Sequence, residues 1–420
     1  MIALRIALAA LLAFASAPGA LRAQPSPAAP APAATVRVAF IDPLSGAFAN
    51  AGESSLRHFR WAFDELNARP GKRAYRYELL ALDNKASPQE SLVQLRAAID
   101  QGARYVVQGQ SSAAALALSD AIGRHNERDP ARQVLLLNYA AADPDLTGSR
   151  CSFWHFRFDA SSDMRLEAMA SAIERDARVK AVYLIGQNYS FGQQVARTAR
   201  EILARRRPDV RIVGDELHPL GQVKDFAPYV AKIRASGADT VITGNWGNDL
   251  TLLVKAAREA NLAVDFLTFY AGSLGAVTAI GEAGAGRVRQ VSEWHANVAS
   301  PAVDAMARRY RERFREDFYF FRIHTLAAML DRAIQAAGTP APREVAGLLE
   351  GMRHDTALGE VQMRASDHQL LQPMFVSVLD RVGTVGVRHG VEGQPLGFRT
   401  EARIEPWVTA LPTPCAMQRP

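Results

Sequence analysis

The stretch from Ser87 to Ile122, SPQESLVQLRAAIDQGARYVVQGQSSAAALALSDAI, decides the fold class. Ser87 suits a helix N-cap, Pro88 the first turn and Glu90 the third position of a capping box. Leu92, Leu95 and Ile99 recur at helical spacing, and Gly102 fits the position just past a helix end. RYVVQG is then a short apolar run rich in valine, which reads as a strand. Gln110–Ser112 is a small-residue turn, and Ala113–Arg124 resumes the helical period. Strand and helix alternating at this pace specify parallel βαβ units with right-handed crossovers.

The same alternation extends in both directions. TVRVAFID, YRYELLALD and QVLLLN read as strands, and Phe59, Trp61, Phe63 and Leu66 mark a helix between the first two. After CSFWHFRFDASSD the pattern restarts, with Asp163 as the expected cap of a helix through Glu174. KAVYLIG, VRIVGDEL, ADTVITG, VDFLTFY and RVRQVSEW are the strands of this second half. FGQQVARTAREILARR, DFAPYVAKIRASG and NDLTLLVKAAREANL are the helices between them. Three more helical stretches follow, Ala302–Phe314, His324–Ala337 and Arg343–Gly351, and Pro373–Leu379 reads as a strand. The chain is therefore an α/β protein with two similar doubly wound halves. Ligands of such sheets sit beyond the carboxyl ends of the strands, where strand order reverses. The loops in question are Pro43–Gly46, Gly109–Ala113, Tyr139–Asp143, Gln187–Phe191, Gly244–Asn248 and Phe269–Gly272.

The N-terminus is read separately. Residues 1–23 have the charged n-region, apolar h-region and small-residue cleavage site of a signal peptide. Residues 24–35, rich in Pro and Ala, form an extended linker. No later stretch has the roughly 18 apolar residues that a membrane span needs, so an exported, soluble protein is expected. The rest of the 420-residue chain suffices for two domains. The formal charge of +6 comes from arginines scattered among acids. The dense run Arg205–Arg207 ends a helix and complements its dipole, so no nucleic-acid partner is expected. Cys151 and Cys415 belong to no CxxC pair. They either pair with each other, tying the C-terminal tail to the body, or are two buried thiols.

Reactive chemistry is thinly represented. There is no GxSxG elbow, HExxH, P-loop or dinucleotide fingerprint, and no metal or cofactor is expected. His155 and His295 read as structural residues near the passages between domains. Ser111 and Ser112 read as hydrogen-bonding groups. With the free N–H groups of a helix start they either make an anion site or only cap the helix.

Several segments together resemble the type I periplasmic binding proteins, and among them the branched-chain amino-acid (Leu/Ile/Val) binding proteins of ABC importers. VRVAFIDPLSGAFANAG resembles that family's first strand and its PLSG loop. LLALDNKASPQESLVQLRAAIDQGARYVVQGQSS, LLLNYAAADPDLT, FWHFRFDASSD, GQNYSFGQQVA and DFAPYVAKIRASGADTVITG follow the family's later segments in order. The resemblance implies two lobes joined by a three-crossover hinge. Residues 36–157 plus 295–357 would form the N-terminal lobe, 158–294 plus 358–400 the C-terminal lobe, and 401–420 a tail. It also implies a monomeric periplasmic receptor, not an enzyme, that closes on a small ligand and delivers it to an inner-membrane ABC permease. A periplasmic sensing subunit for a membrane signalling partner is the alternative. An enzyme on the same fold would use Ser112 in turnover.

The resemblance assigns residues too. Ser111 or Ser112 and the backbone at Ala141 and Ala142 would hold the ligand's carboxylate. Phe191 replaces a Tyr, and Trp246 matches an aromatic. The family's amino-acid binders carry a Thr where this chain has Ala142 and a Glu where it has Tyr270; both accept the ligand's ammonium hydrogens. A covering aromatic is replaced by Ala51, which would leave room for a flatter pocket lined by Tyr139, Phe191, Trp246 and Tyr270. These departures predict a ligand with an anionic or polar head that is not a plain amino acid: an aromatic or aliphatic carboxylate, or an amide. Otherwise Asp143, Asp249 or Glu293 would have to supply the missing acid.

Overall fold

The computed structural model describes residues 33–70 and 74–420. The expected signal peptide and nearly all of the expected linker lie outside the described residues. The first half runs β1 (Ala34–Asp42), α1 (Ala49–Asn67), β2 (Tyr75–Asp83), α2 (Pro88–Asp100), β3 (Tyr105–Gln108), α3 (Ser112–Arg128), β4 (Leu135–Asn138) and β5 (His155–Arg157). The second runs α4 (Ser162–Arg175), β6 (Ala181–Gln187), α5 (Ser190–Arg206), β7 (Arg211–His218), α6 (Ala227–Ala235), β8 (Thr240–Thr243), α7 (Gly247–Glu259), β9 (Asp265–Thr268), α8 (Ala276–Ile280) and β10 (Val288–Ser292). Then come α9 (Pro301–Phe314), α10 (Phe321–Ala337), α11 (Pro342–Leu349), β11 (Arg353–Thr356), β12 (Gly359–Met363), β13 (Leu370–Leu371), β14 (Met374–Arg381) and β15 (Leu396–Ile404). Among the described residues no helix is long and apolar enough to cross a membrane.

The first sheet has the order β2-β1-β3-β4-β5, all parallel. The second repeats that order as β7-β6-β8-β9-β10 and extends it with antiparallel β14 and β15. Val38, Phe40, Val107 and Leu135–Leu137 are wholly buried, as strands covered on both faces must be. The expected helix caps hold with two adjustments. Ser87 Oγ accepts from Glu90 N, but the Glu90 carboxylate turns to Gln94 and leaves the capping box half made. The next cap is Ser161, not Asp163, which sits in the first turn of α4. Arg205 and Arg206 both pair with Glu167, and Arg207 binds Asp209 and three helix-end and loop carbonyls.

The chain passes between sheets at Phe158–Ser161, after Ser292 and at Gln372–Pro373. The third passage was expected at 357/358. Instead, Gln369 bridges to Arg157, and His368 stacks on Phe156 at 3.8 Å. This holds residues through Leu371 against the edge of the first sheet. β1 starts inside the expected linker, and β15 runs through the expected boundary at 400. The first and third passages are laced together. Arg157 Nε donates to Gln369 Oε1 at 2.6 Å, and Gln369 Nε2 donates to the Asp159 carbonyl at 2.8 Å. Cys151 and Cys415 form a disulfide with a Cα–Cα separation of 5.7 Å, which settles the two open readings of these cysteines in favour of the pair.

Candidate functional site

The site is built on Asp42, the last residue of β1. It is wholly buried and accepts four hydrogen bonds: from Gly109 N (2.9 Å), Gln110 N (3.0 Å), Gln108 Nε2 (3.0 Å) and the Tyr139 hydroxyl (2.6 Å). These bonds draw the loop after β3 towards β1, at the point where strand order reverses. Gly109 is needed there, since a Cβ would stand 2.9 Å from Ala140 and from the Tyr139 ring. The loop delivers Ser111 as N-cap of α3, its Oγ accepting from Ala114 N at 3.3 Å. Ser112 Oγ accepts from Asp143 N at 3.3 Å, linking this helix start to the loop after β4. The first N–H groups of α3 have no intrahelical acceptor. With the helix dipole and two buried hydroxyls, they make this helix start rich in hydrogen-bond donors.

The second half supplies the opposite wall. Tyr189 and Trp246 are the N-caps of α5 and α7. Trp246 Nε1 donates to the Tyr189 hydroxyl at 2.8 Å. Gln187 Nε2 donates to the Trp246 carbonyl and to Asp249, fixing the start of α7. Phe48, in the 3₁₀ turn Gly46–Phe48 after β1, reaches across and stacks on Trp246 with ring centroids 4.3 Å apart. Gly221 and Gly247, both at positive φ, make room for it, and a Cβ at either would come within 2.8 Å of the Phe48 ring. The two halves are thus in contact across the cleft mouth.

The cavity between these walls has a volume of about 210 Å³. Ser111, Ser112, Ala141, Ala142, Phe191, Trp246 and Tyr270 all line it, and so does Ala51. Tyr139 does not; its hydroxyl is spent on Asp42, so it is core beneath the site. Phe48 lines the cavity with Ala51, supplying a ring three residues earlier in the chain, just ahead of α1. Among the described residues no Asp or Glu lines this cavity, and Arg322 is its one charged lining residue. Asp143 caps its own 3₁₀ turn, Asp249 binds Gln187 and Gly221 N, and Glu293 is paired with Arg322 at 2.6 Å.

Arg322 belongs to a buried four-charge group behind the cavity. Its Nη1 meets Glu293, its Nε donates to the Tyr139 carbonyl at 2.6 Å and lies 3.3 Å from Asp159. Arg165 pairs with Asp159 at 2.6 Å and lies over the Tyr270 ring at 5.4 Å. Tyr270 therefore stacks under a cation where a glutamate would have paired with it. Sequence reasoning missed Phe48, Tyr189 and Arg322. Tyr189 lies inside a loop already singled out and Phe48 two residues beyond one, whereas nothing near Arg322 in the chain marks it.

Titration of this framework has a measurable consequence. Burial lifts Asp42 to about 7 against the pull of its four donors. It therefore stabilises the fold below its unfolded value, and that contribution is lost as pH rises through 7. Buried His58, His155, His295, His324 and His368 are pushed the other way by desolvation. Their contribution is lost on acidification and complete above pH 6.5. The Asp42 part is isolated by comparison with Asp42→Asn: relative to that variant, the parent should lose about 1.4 kcal/mol per pH unit between roughly pH 5 and 6.5, and the difference should level off above about pH 8. Urea unfolding of both proteins at stepped pH checks this. An unchanged slope in that variant would refute the assignment.

Two sheets whose parallel strands share one order, three passages between them and a cavity at both reversal points define a two-lobed binding protein. The chain belongs to the periplasmic binding protein family, whose model matches residues 35–384. It is 30% identical over 400 residues to Leu/Ile/Val-binding protein homolog 4 of Brucella melitensis, covering 94% of this chain and 95% of that protein. The closed form of a leucine-, isoleucine-, valine-, threonine- and alanine-binding protein from Brucella ovis superposes with a TM-score of 0.82 at 29% identity, over 92% of this chain and all of that one. An ABC-transporter solute-binding protein of R. palustris, solved with 4-hydroxybenzoate, shares the fold at a TM-score of 0.74 and 17% identity, over 89% and 97% of the two chains.

Proposed function

We propose that this chain is the periplasmic receptor of an ABC importer for a small carboxylate or amide, aromatic or aliphatic, rather than for a plain α-amino acid. The observation that carries this reading is the absence of any Asp or Glu from the cavity lining. A bound ammonium would have no counter-charge, and an unpaired buried charge costs several kcal/mol. That is about three decades of affinity. An anionic head, by contrast, meets Ser111, Ser112 and the start of α3, with Ala141 and Ala142 beside it. A flat or apolar body fits between Phe48, Phe191, Trp246 and Tyr270. The 4-hydroxybenzoate bound by the R. palustris protein has this chemistry; the name of the Brucella ovis protein points to the other class. Hinge closure over the ligand would present both lobes to an inner-membrane permease, the protein acting as a monomer after export.

A thermal-shift comparison decides between the classes. The chain from Gln24 onward is unfolded and refolded to strip carried-over ligand. It is then tested with leucine, isoleucine, valine, benzoate, 4-hydroxybenzoate, benzamide and hexanoate. A binder at about 100 times its Kd stabilises by about 2.7 kcal/mol. The acids or the amide should do so and the amino acids should not. A shift with leucine and none with the acids would overturn the reading.

A further inference from the structure

Behind Tyr270 lies a second chamber of about 340 Å³, larger than the first. The two share Tyr270, Ser273, Phe320 and Arg322 as a common wall. That wall is made chiefly of side chains, with no strand between the chambers. Its central ring is lightly held: Arg165 stacks on Tyr270, and the Tyr270 hydroxyl makes no hydrogen bond among the described residues.

The second chamber has donors to spare. Trp294 Nε1 and Arg165 Nε are buried and have no acceptor among the described residues. Gln290, also buried, accepts from Gly272 N at 2.6 Å through its Oε1, and its NH2 group has no acceptor among the described residues. The acids of this wall are engaged. Glu293 holds Arg322, Asp317 holds Arg311 at 2.7 Å and also accepts from Glu392 N, and Asp304 faces Arg388 at 4.0 Å. Buried donors without acceptors are costly, and an occupant bearing oxygen acceptors would relieve them.

We propose that this chamber is a second subsite of the cleft and that the ligand is a two-headed carboxylate. One carboxylate sits at Ser111 and Ser112, and the far one, past a displaced Tyr270 ring, meets Trp294, Gln290 and Arg165. This rests on the anionic-head reading above and adds the second head.

Calorimetric titration with two series separates the ideas: linear monocarboxylates of six to ten carbons and the α,ω-dicarboxylates of the same lengths. At one length or more, the dicarboxylate should bind at least tenfold tighter than its monocarboxylate. Trp294→Phe, which keeps a ring and removes the N–H, should weaken that dicarboxylate about tenfold, the worth of one hydrogen bond to a charged group. It should leave monocarboxylate binding unchanged, which also shows that the variant is folded. Gln290→Met should act in the same sense. Equal binding of both series, or a Trp294→Phe variant indifferent to the second carboxylate, overturns the second subsite and leaves the receptor reading standing. Failure of both series to bind also overturns the second subsite, while the thermal-shift comparison with the aromatic acids and the amide decides the receptor reading separately.

Discussion

Replacing Arg322 with Met should destabilise the protein by about 3–5 kcal/mol, the cost of removing one partner from a buried ion pair. Glu293 and Asp159 are almost wholly buried, and each follows a strand at a passage between lobes, Asp159 after β5 and Glu293 after β10. Arg322 ties both to α10, so its loss strands Glu293 with no other cation in contact, while Asp159 retains Arg165. Adding Glu293→Gln should restore a good part of the loss, because the amide removes the stranded charge. Urea unfolding of the single and double variants measures this. A single-variant loss below about 1 kcal/mol, or no recovery in the double variant, would show that the four-charge group is not the energetic keystone of the hinge. Because Arg322 also lines both chambers, ligand affinity should fall with the single variant and should not be fully recovered by the double.

The repeated strand order could be read from the sequence because buried parallel strands announce themselves as apolar runs such as VLLL and VITG, set between amphipathic helices with recognisable caps. Elements that do not follow that pattern were lost. β11 and β12 are short and half exposed, and β15 alternates small, charged and apolar residues. All seven expected site residues came to one cavity because each lies in a loop that follows a strand, and topology alone gathers such loops. Asp42 and Tyr139 show the limit of that logic. Both sit at the right strand ends, yet they spend their polar groups on each other and hold the scaffold from beneath. Arg322 was invisible for a different reason: its partners come from other elements far away in the chain, and only packing brings them together. The half-made capping box at Glu90 makes the same point on a small scale, since a surface neighbour, Gln94, outcompetes the backbone for its carboxylate.

The disulfide provides the second large effect. β15 belongs to the second sheet, but the chain beyond it returns to the first lobe. There Thr413 Oγ1 donates to the Thr147 carbonyl at 2.7 Å, Arg364 binds the Leu411 carbonyl at 2.8 Å, and Arg419 pairs with Glu350. Cys415 then bonds Cys151, just ahead of β5. The tail is therefore a fourth connection between lobes, and a covalent one, beside the three passages of the hinge. The loop it closes has a sequence separation of 264 residues. Long loops gain most from closure, so removing the bond by Cys151→Ser with Cys415→Ser should cost about 2–5 kcal/mol. Dithiothreitol should destabilise the unmodified protein by a similar amount and leave the double variant unchanged, which separates loss of the bond from damage by the serines. With the clip gone, the ligand-free lobes should also open further, read as a larger radius of gyration in solution scattering. A ligand that bridges both lobes should draw the variant back to the compact value, because it replaces the lost covalent link with contacts on both sides of the cleft. A variant as stable as the parent and equally compact without ligand would show that the polar contacts of the tail suffice without the sulfur bond.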